Sequence, residues 1–199
     1  AISNGRAAGG LAGGVMSVPH VAAPTVPDLP QMPAALAPLP GEAHSQALYG
    51  GPGSNSVYQF ADQWSRYGDH LSELAETLNR AGQSINENWD HGQQQAGANT
   101  LRHGSWAAEM SQQAHSLAGY ARTVAEGFDT AKASTPSPQE FANTRAQLQG
   151  AMRRLAASKG ANAAEVQQLT QKYASQQAEA TDAVTGYHGR VTGASFSTG

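Results

Sequence analysis

The sequence predicts an all-α fold: an elongated antiparallel helical bundle of two hairpins, with two long helices and two shorter ones. An extended Pro/Gly-rich N-terminal segment precedes it. Three observations predict this. Apolar residues recur at spacings of three and four through most of the 199 residues. No run alternates apolar and polar side chains as a strand would. Eight of the ten prolines fall within residues 19–52 and the others are Pro136 and Pro138, so the periodic stretches are free of them.

Residues 1–53 read as a Gly/Ala/Pro-rich tether. Arg6 is the only positive charge among residues 1–18, and Gly9, Gly10, Gly13 and Gly14 interrupt any apolar core, so a classical secretory signal is not expected. The start at Ala1 rather than Met suggests an upstream part. From Pro19 to Pro40, seven prolines each remove a backbone donor and keep the preceding residue out of the α region. That stretch is expected to be extended and partly polyproline II.

The helical domain is expected over residues 54–191. The first long helix opens at Ser54 or Asn55, after the turn Gly50-Gly51-Pro52-Gly53. Its apolar series is Val57, Phe60, Trp64, Tyr67, Leu71, Leu74, Leu78, Ala81, Ile85, a 3.5-residue period held over four heptads. Such a seam calls for a second helix packed at a shallow angle. A helix of about 35 residues is roughly 52 Å long. The pattern breaks at residues 86–92, where Asp90 and Gln93 fit a capping box for the second helix. That helix carries Trp106, Met110, Ala114, Leu117, Ala121, Val124, Phe128 and Ala131, a seam the second hairpin should partly cover. The cluster Ser134-Thr135-Pro136-Ser137-Pro138 ends it and begins a third helix lined by Phe141, Leu148, Met152 and Leu155. After Lys159-Gly160 a fourth helix carries Val166, Leu169, Tyr173, Ala180, Val184, Tyr187 and Val191, and residues 192–199 read as a flexible tail.

Composition and motifs exclude several functions. With no cysteine there is no disulfide framework, thiol nucleophile or Cys-ligated zinc. A net charge of −3 argues against a nucleic-acid partner held through phosphates. No run of apolar residues is long enough to span a bilayer. The seven histidines form no metalloprotease motif, and His91, His103 and His115, twelve residues apart, each turn by about 120° on a helix and cannot share one metal. No cofactor and no enzymatic activity are expected. Residues 54–138 hold five Lys/Arg against nine Asp/Glu, while residues 139–199 hold six against four. Arg145, Arg153, Arg154 and Lys159 gather on the third helix near its tip. They are a candidate contact for an acidic partner or for anionic lipid headgroups, which would make the chain a peripheral membrane-surface module.

The turn between the long helices reads Asn88-Trp89-Asp90-His91-Gly92, one residue longer than Trp-x-Gly. Together with Gly51-Pro52-Gly53-Ser54 ahead of the first long helix and the Thr135–Pro138 break before a shorter hairpin, it resembles the PPE branch of proteins exported by mycobacterial type VII (ESX) secretion. It is similar also to their relative EspB. The resemblance spans about residues 50–190. It implies a secretion-motif-like turn at Trp89, Asp90 and Gly92, and protein partners in a type VII system or self-association. It also implies a secreted or cell-envelope location after a cytoplasmic stage. The family's accompanying Tyr-x-x-x-Asp/Glu element has a match at Tyr58–Asp62. That match lies about 30 residues from Trp89, or roughly 45 Å along a helix, so the two cannot form one composite site. An EspG-type chaperone, which the resemblance places at an apolar tip between the last helices, is not expected. Residues 155–165 carry Leu155 as their only large apolar side chain, with Lys159 at the apex. An intracellular helical adaptor is the remaining alternative.

Overall fold

A computed structural model describes residues 40–88, 94–158 and 162–194, and five helices account for nearly all of them. They are α1 (Gly41–Gly50), α2 (Asn55–Asn88), α3 (Gln94–Ser134), α4 (Pro138–Ala157) and α5 (Ala163–Gly193). The expected all-α bundle of two hairpins is present: α2 packs on α3, and α4 packs on α5. Among the described residues α2 touches no helix other than α3, whereas α1 packs on α3, α4 and α5.

Helix α1 replaces, over residues 41–50, the last part of the tether expected over residues 1–53; residues 1–39 of that expectation lie outside the described residues. Prolines stop at Pro40 and resume at Pro52, leaving eleven residues free to hydrogen-bond as a helix. Pro40 (φ −52°, ψ 140°) stands before the first turn, and its carbonyl accepts from Ala43 N–H at 2.8 Å. Ten residues are too few for an isolated helix in water, so tertiary contacts must hold this one. The turn after it is made by Gly53, whose φ of +79° is a backbone conformation that glycine adopts without steric cost.

The long hairpin keeps the predicted heptad, with a different set of residues in the seam. Ala61, Gly68, Ala75 and Gly82 recur every seventh position of α2 and are all buried. Facing them, Gly97, Gly104, Ser111, Ala118 and Ala125 do the same along α3. The antiparallel register is explicit in Arg122–Asp62 and His115–Asp69, where seven residues forward on α2 match seven back on α3. A Cβ added at Gly104 would lie 3.3 Å from the Ala75 carbonyl oxygen, and the Ser111 hydroxyl donates to the Gly68 carbonyl at 2.7 Å. Small side chains therefore take the line of closest approach. Tyr67 and Leu74, expected in the seam, are half-buried at its edge, and Ala81 is exposed.

The same exchange occurs in α4. Phe141, Thr144 and Ala151 are buried, while Met152, expected to line the packed side, is 51% exposed. Two apolar clusters anchor the end of the molecule where the helices converge. Leu48, Phe128, Ala131, Val184 and Tyr187 join α1, α3 and α5. Val57, Phe60, Ala61, Ala121 and Ala125 join α2 and α3. Burying each large side chain there contributes about 1.5–3 kcal/mol. No described helix is long and apolar enough to cross a membrane.

Candidate functional site

Glu42, in the first turn of α1, ties that helix to the α4/α5 hairpin. Its carboxylate accepts from the Arg145 guanidinium on α4 and from the Tyr173 hydroxyl on α5 at 3.0 Å. Its backbone N–H donates to the Gln177 side-chain oxygen at 3.1 Å. Further along α1, the Ser45 hydroxyl donates to the Pro136 carbonyl at 2.6 Å. Tyr49 donates to the carbonyls of Lys132 and Thr135, and the Lys132 ammonium lies 5.1 Å from the Tyr49 ring centre. A Pro just before a helix with an acid in its first turn is a start signal. That signal stood in Pro40-Gly41-Glu42, hidden among the prolines.

The four cations singled out in the sequence do not converge. Arg145 is spent on Glu42, and Arg154 pairs with Glu165 across the α4/α5 hairpin. Nine helical residues separate the two, a rotation of roughly 180°. Arg153 is exposed and donates its Nε to the Gln149 carbonyl of its own helix at 3.4 Å. Lys159 lies outside the described residues, as do Trp89, Asp90 and Gly92 and the expected capping box at Asp90–Gln93.

The long hairpin carries the most exposed aromatic surface. Trp106 is 55% exposed. The expected cover from the second hairpin reaches only the C-terminal end of α3, where α5 packs on Val124, Phe128 and Ala131, because α3 is twice the length of α4. Met110 and Leu117 stay half-buried. On α2, Phe60, Trp64 and Tyr67 stack edge to face with ring centres 6.0 and 5.6 Å apart. The Trp64 indole N–H is buried without a hydrogen-bond partner. At the base, Asp129 accepts from the Ser54 and Tyr58 hydroxyls at 2.5 and 3.1 Å, locking the start of α2 onto α3. Burial, and then the adjoining Asp129 carboxylate, push the Tyr58 phenol above its ordinary pKa. Tyr187 is raised by burial between α3 and α5.

The sequence profile of the PPE family matches residues 35–198, which takes in all five helices. The chain belongs to the PPE family. This PPE chain is 30% identical over 117 residues to the uncharacterized PPE family protein PPE61 of Mycobacterium tuberculosis, in two strains of that organism. The match covers 55% of this chain and 28% of the relative, so the PPE chain spans less than a third of the length of the curated relatives it matches.

Proposed function

We propose that the chain is the helical association domain of a PPE protein handled by a type VII secretion system. In this reading it is non-enzymatic. It binds another polypeptide, a component of that system or a second copy, along the open side of the α2/α3 hairpin, and it resides in the cell envelope or outside the cell. The observation that carries the reading is Trp106, a large aromatic 55% exposed on α3, in a hairpin whose α2 packs, among the described residues, against no helix but α3. Exposed aromatics on a rigid frame are the residue type that dominates association energies.

Two substitutions in the full-length protein test the proposal in its secreting host. Trp106→Ser, at an exposed position, should leave the circular dichroism spectrum and Tm unchanged. It should reduce cross-linking to the partner at least tenfold, as loss of one interfacial aromatic of about 1.5–2 kcal/mol requires. Trp89→Ala should leave the fold intact and block export. Normal export of the second variant and unchanged cross-linking of the first would together sink the proposal. Salt-sensitive sedimentation with anionic vesicles that Arg153→Glu abolishes would replace it with a membrane-surface role.

A further inference from the structure

Helix α1 is joined to α2 by four residues, Gly51-Pro52-Gly53-Ser54, yet among the described residues it makes no contact with that helix. What holds it belongs to α3, α4, α5 and the break between α3 and α4. We propose that α1 is a ligand bound in cis: a detachable helix filling a cleft between α3, α4 and α5, which exchanges it for a short helix of another polypeptide carrying the same carboxylate and leucine. The cleft lies at the junction of the two hairpins, apart from the open side of α2 and α3.

The cleft holds α1 as a partner surface holds a helical peptide. Ten residues do not keep a helix in water, so α1 is helical because it is docked. At its start the Glu42 carboxylate accepts from Arg145 on α4 and Tyr173 on α5. Nearly two turns on, Leu48, 2% exposed, sits among Phe128, Val184 and Tyr187. The Ser45 and Tyr49 hydroxyls donate to the carbonyls of Pro136, Lys132 and Thr135, at the end of α3 and in the break after it. Arginine, tyrosine and phenylalanine are the residue types that carry association energy at interfaces.

The fit is incomplete, and this makes α1 replaceable. His44 is 4% exposed, and its Nδ1 has no hydrogen-bond partner among the described residues. Gln176, buried on the same stripe of α5 as Val184, leaves its Oε1 unpaired too. Each buried polar atom left alone weakens the docked state, and a helix with leucine in place of His44 docks without the imidazole's share. Opening is local: Phe128, Ala131, Val184 and Tyr187 still pack on one another when Leu48 leaves, and α2 loses no contact. A short tether holds α1 at an effective concentration on the order of millimolar or above. A competitor therefore displaces it only by fitting better, which the two unpaired atoms allow.

A fluorescent peptide of residues 40–52 and the full chain test this by anisotropy. Leu48→Asp removes the apolar anchor of α1, and Glu42→Lys sets an ammonium against Arg145, so each empties the cleft through a different contact. Both variants should bind the peptide saturably, and the parent, its cleft filled, at least about tenfold more weakly. A peptide carrying His44→Leu should bind both variants at least about fivefold more tightly. Absence of saturable binding to both variants overturns the proposal, as does a parent that binds as well as they do, or a His44→Leu peptide that binds no better. Hydrogen exchange on the parent needs no variant: residues 41–50 should exchange on the order of tenfold faster than residues 121–128. Equal rates mean that α1 opens only with the whole fold, and also overturn it. Dimerisation of the parent that Leu48→Asp abolishes assigns the cleft to a second copy's α1, and overturns the assignment to another polypeptide.

Discussion

Two kinds of glycine sit in these helices, and they predict substitutions of opposite sign. Gly41 is pressed on the Gln177 backbone, which cannot swing aside as a side chain can. Gly41→Ala should therefore lift the N-terminus of α1, lose the Glu42 contacts with Arg145 and Tyr173, and speed hydrogen exchange throughout residues 41–50. Gly119 and Gly186 are exposed mid-helix positions where an added Cβ meets nothing within 4 Å. Replacing either by Ala should raise stability by about 1 kcal/mol, since Gly is poorer than Ala in a helix interior by that amount. In a domain of this size that is a rise in Tm of roughly 2–4 °C, readable by calorimetry. Equal behaviour of Gly41→Ala and Gly186→Ala would mean that the close approach of α1 to α5 is not what holds α1. None of this contrast is legible in sequence, because a glycine under a neighbouring backbone and a glycine in open solvent look alike until the helices are placed.

Helix ends and helix seams differed in how plainly the sequence announced them. The break at Thr135–Pro138 was legible, and the structure supplies its chemistry. The Ser137 hydroxyl accepts from Glu140 N–H, while the Glu140 carboxylate accepts from Ser137 N–H at 2.7 Å. Those bonds, the backbone one first, hold the Glu140 carboxyl below its ordinary pKa. A lowered folded-state pKa contributes stability that is full above the unfolded value of about 4.3 and is lost as pH falls through the folded value. Thermal melts taken from pH 6 downward should show Glu140→Gln converging on the parent in acid. Ser137→Ala should cost about 1 kcal/mol near neutrality. A constant difference between Glu140→Gln and parent at every pH would contradict the capping role. The long seams were legible in period but not in phase. Periodicity weights large residues, which drew the expected line through Tyr67, Leu74 and Met152. Close helix approach rewards small ones, which drew the real line through Gly68, Ala75 and Ala151. Alanine, buried at positions such as Ala61, Ala75, Ala118 and Ala151, is thus itself a core residue here. Helix α1 was missed because flanking prolines mask a ten-residue helix that only its docking site stabilises.

The whole molecule is stable at one end and spare at the other. Near its base the long hairpin is clasped by two apolar clusters, by Asp129 bridging to Ser54 and Tyr58, and by α1 and α5 packed on α3. Toward Asn88 and Gln94 it consists of two helices alone, held by a seam of glycine and alanine that buries little area per turn. Opening free energy follows local apolar burial and the number of packed partners. Native-state hydrogen exchange should therefore grade along α2, with residues 57–71 among the most protected and residues 79–88 exchanging faster by at least one order of magnitude. The same gradient should appear in α3, from Phe128 back to Leu101. Uniform protection along the hairpin would show that the small-residue seam alone is as strong as the clustered base. The gradient also separates a structural from a binding role for the open side. Adding the partner should raise protection around Trp106 and in the distal turns of α2, while leaving the already protected base unchanged. Trp106→Ser should erase that increase without altering the gradient of the free chain, because a side chain 55% exposed contributes little to the fold it stands on.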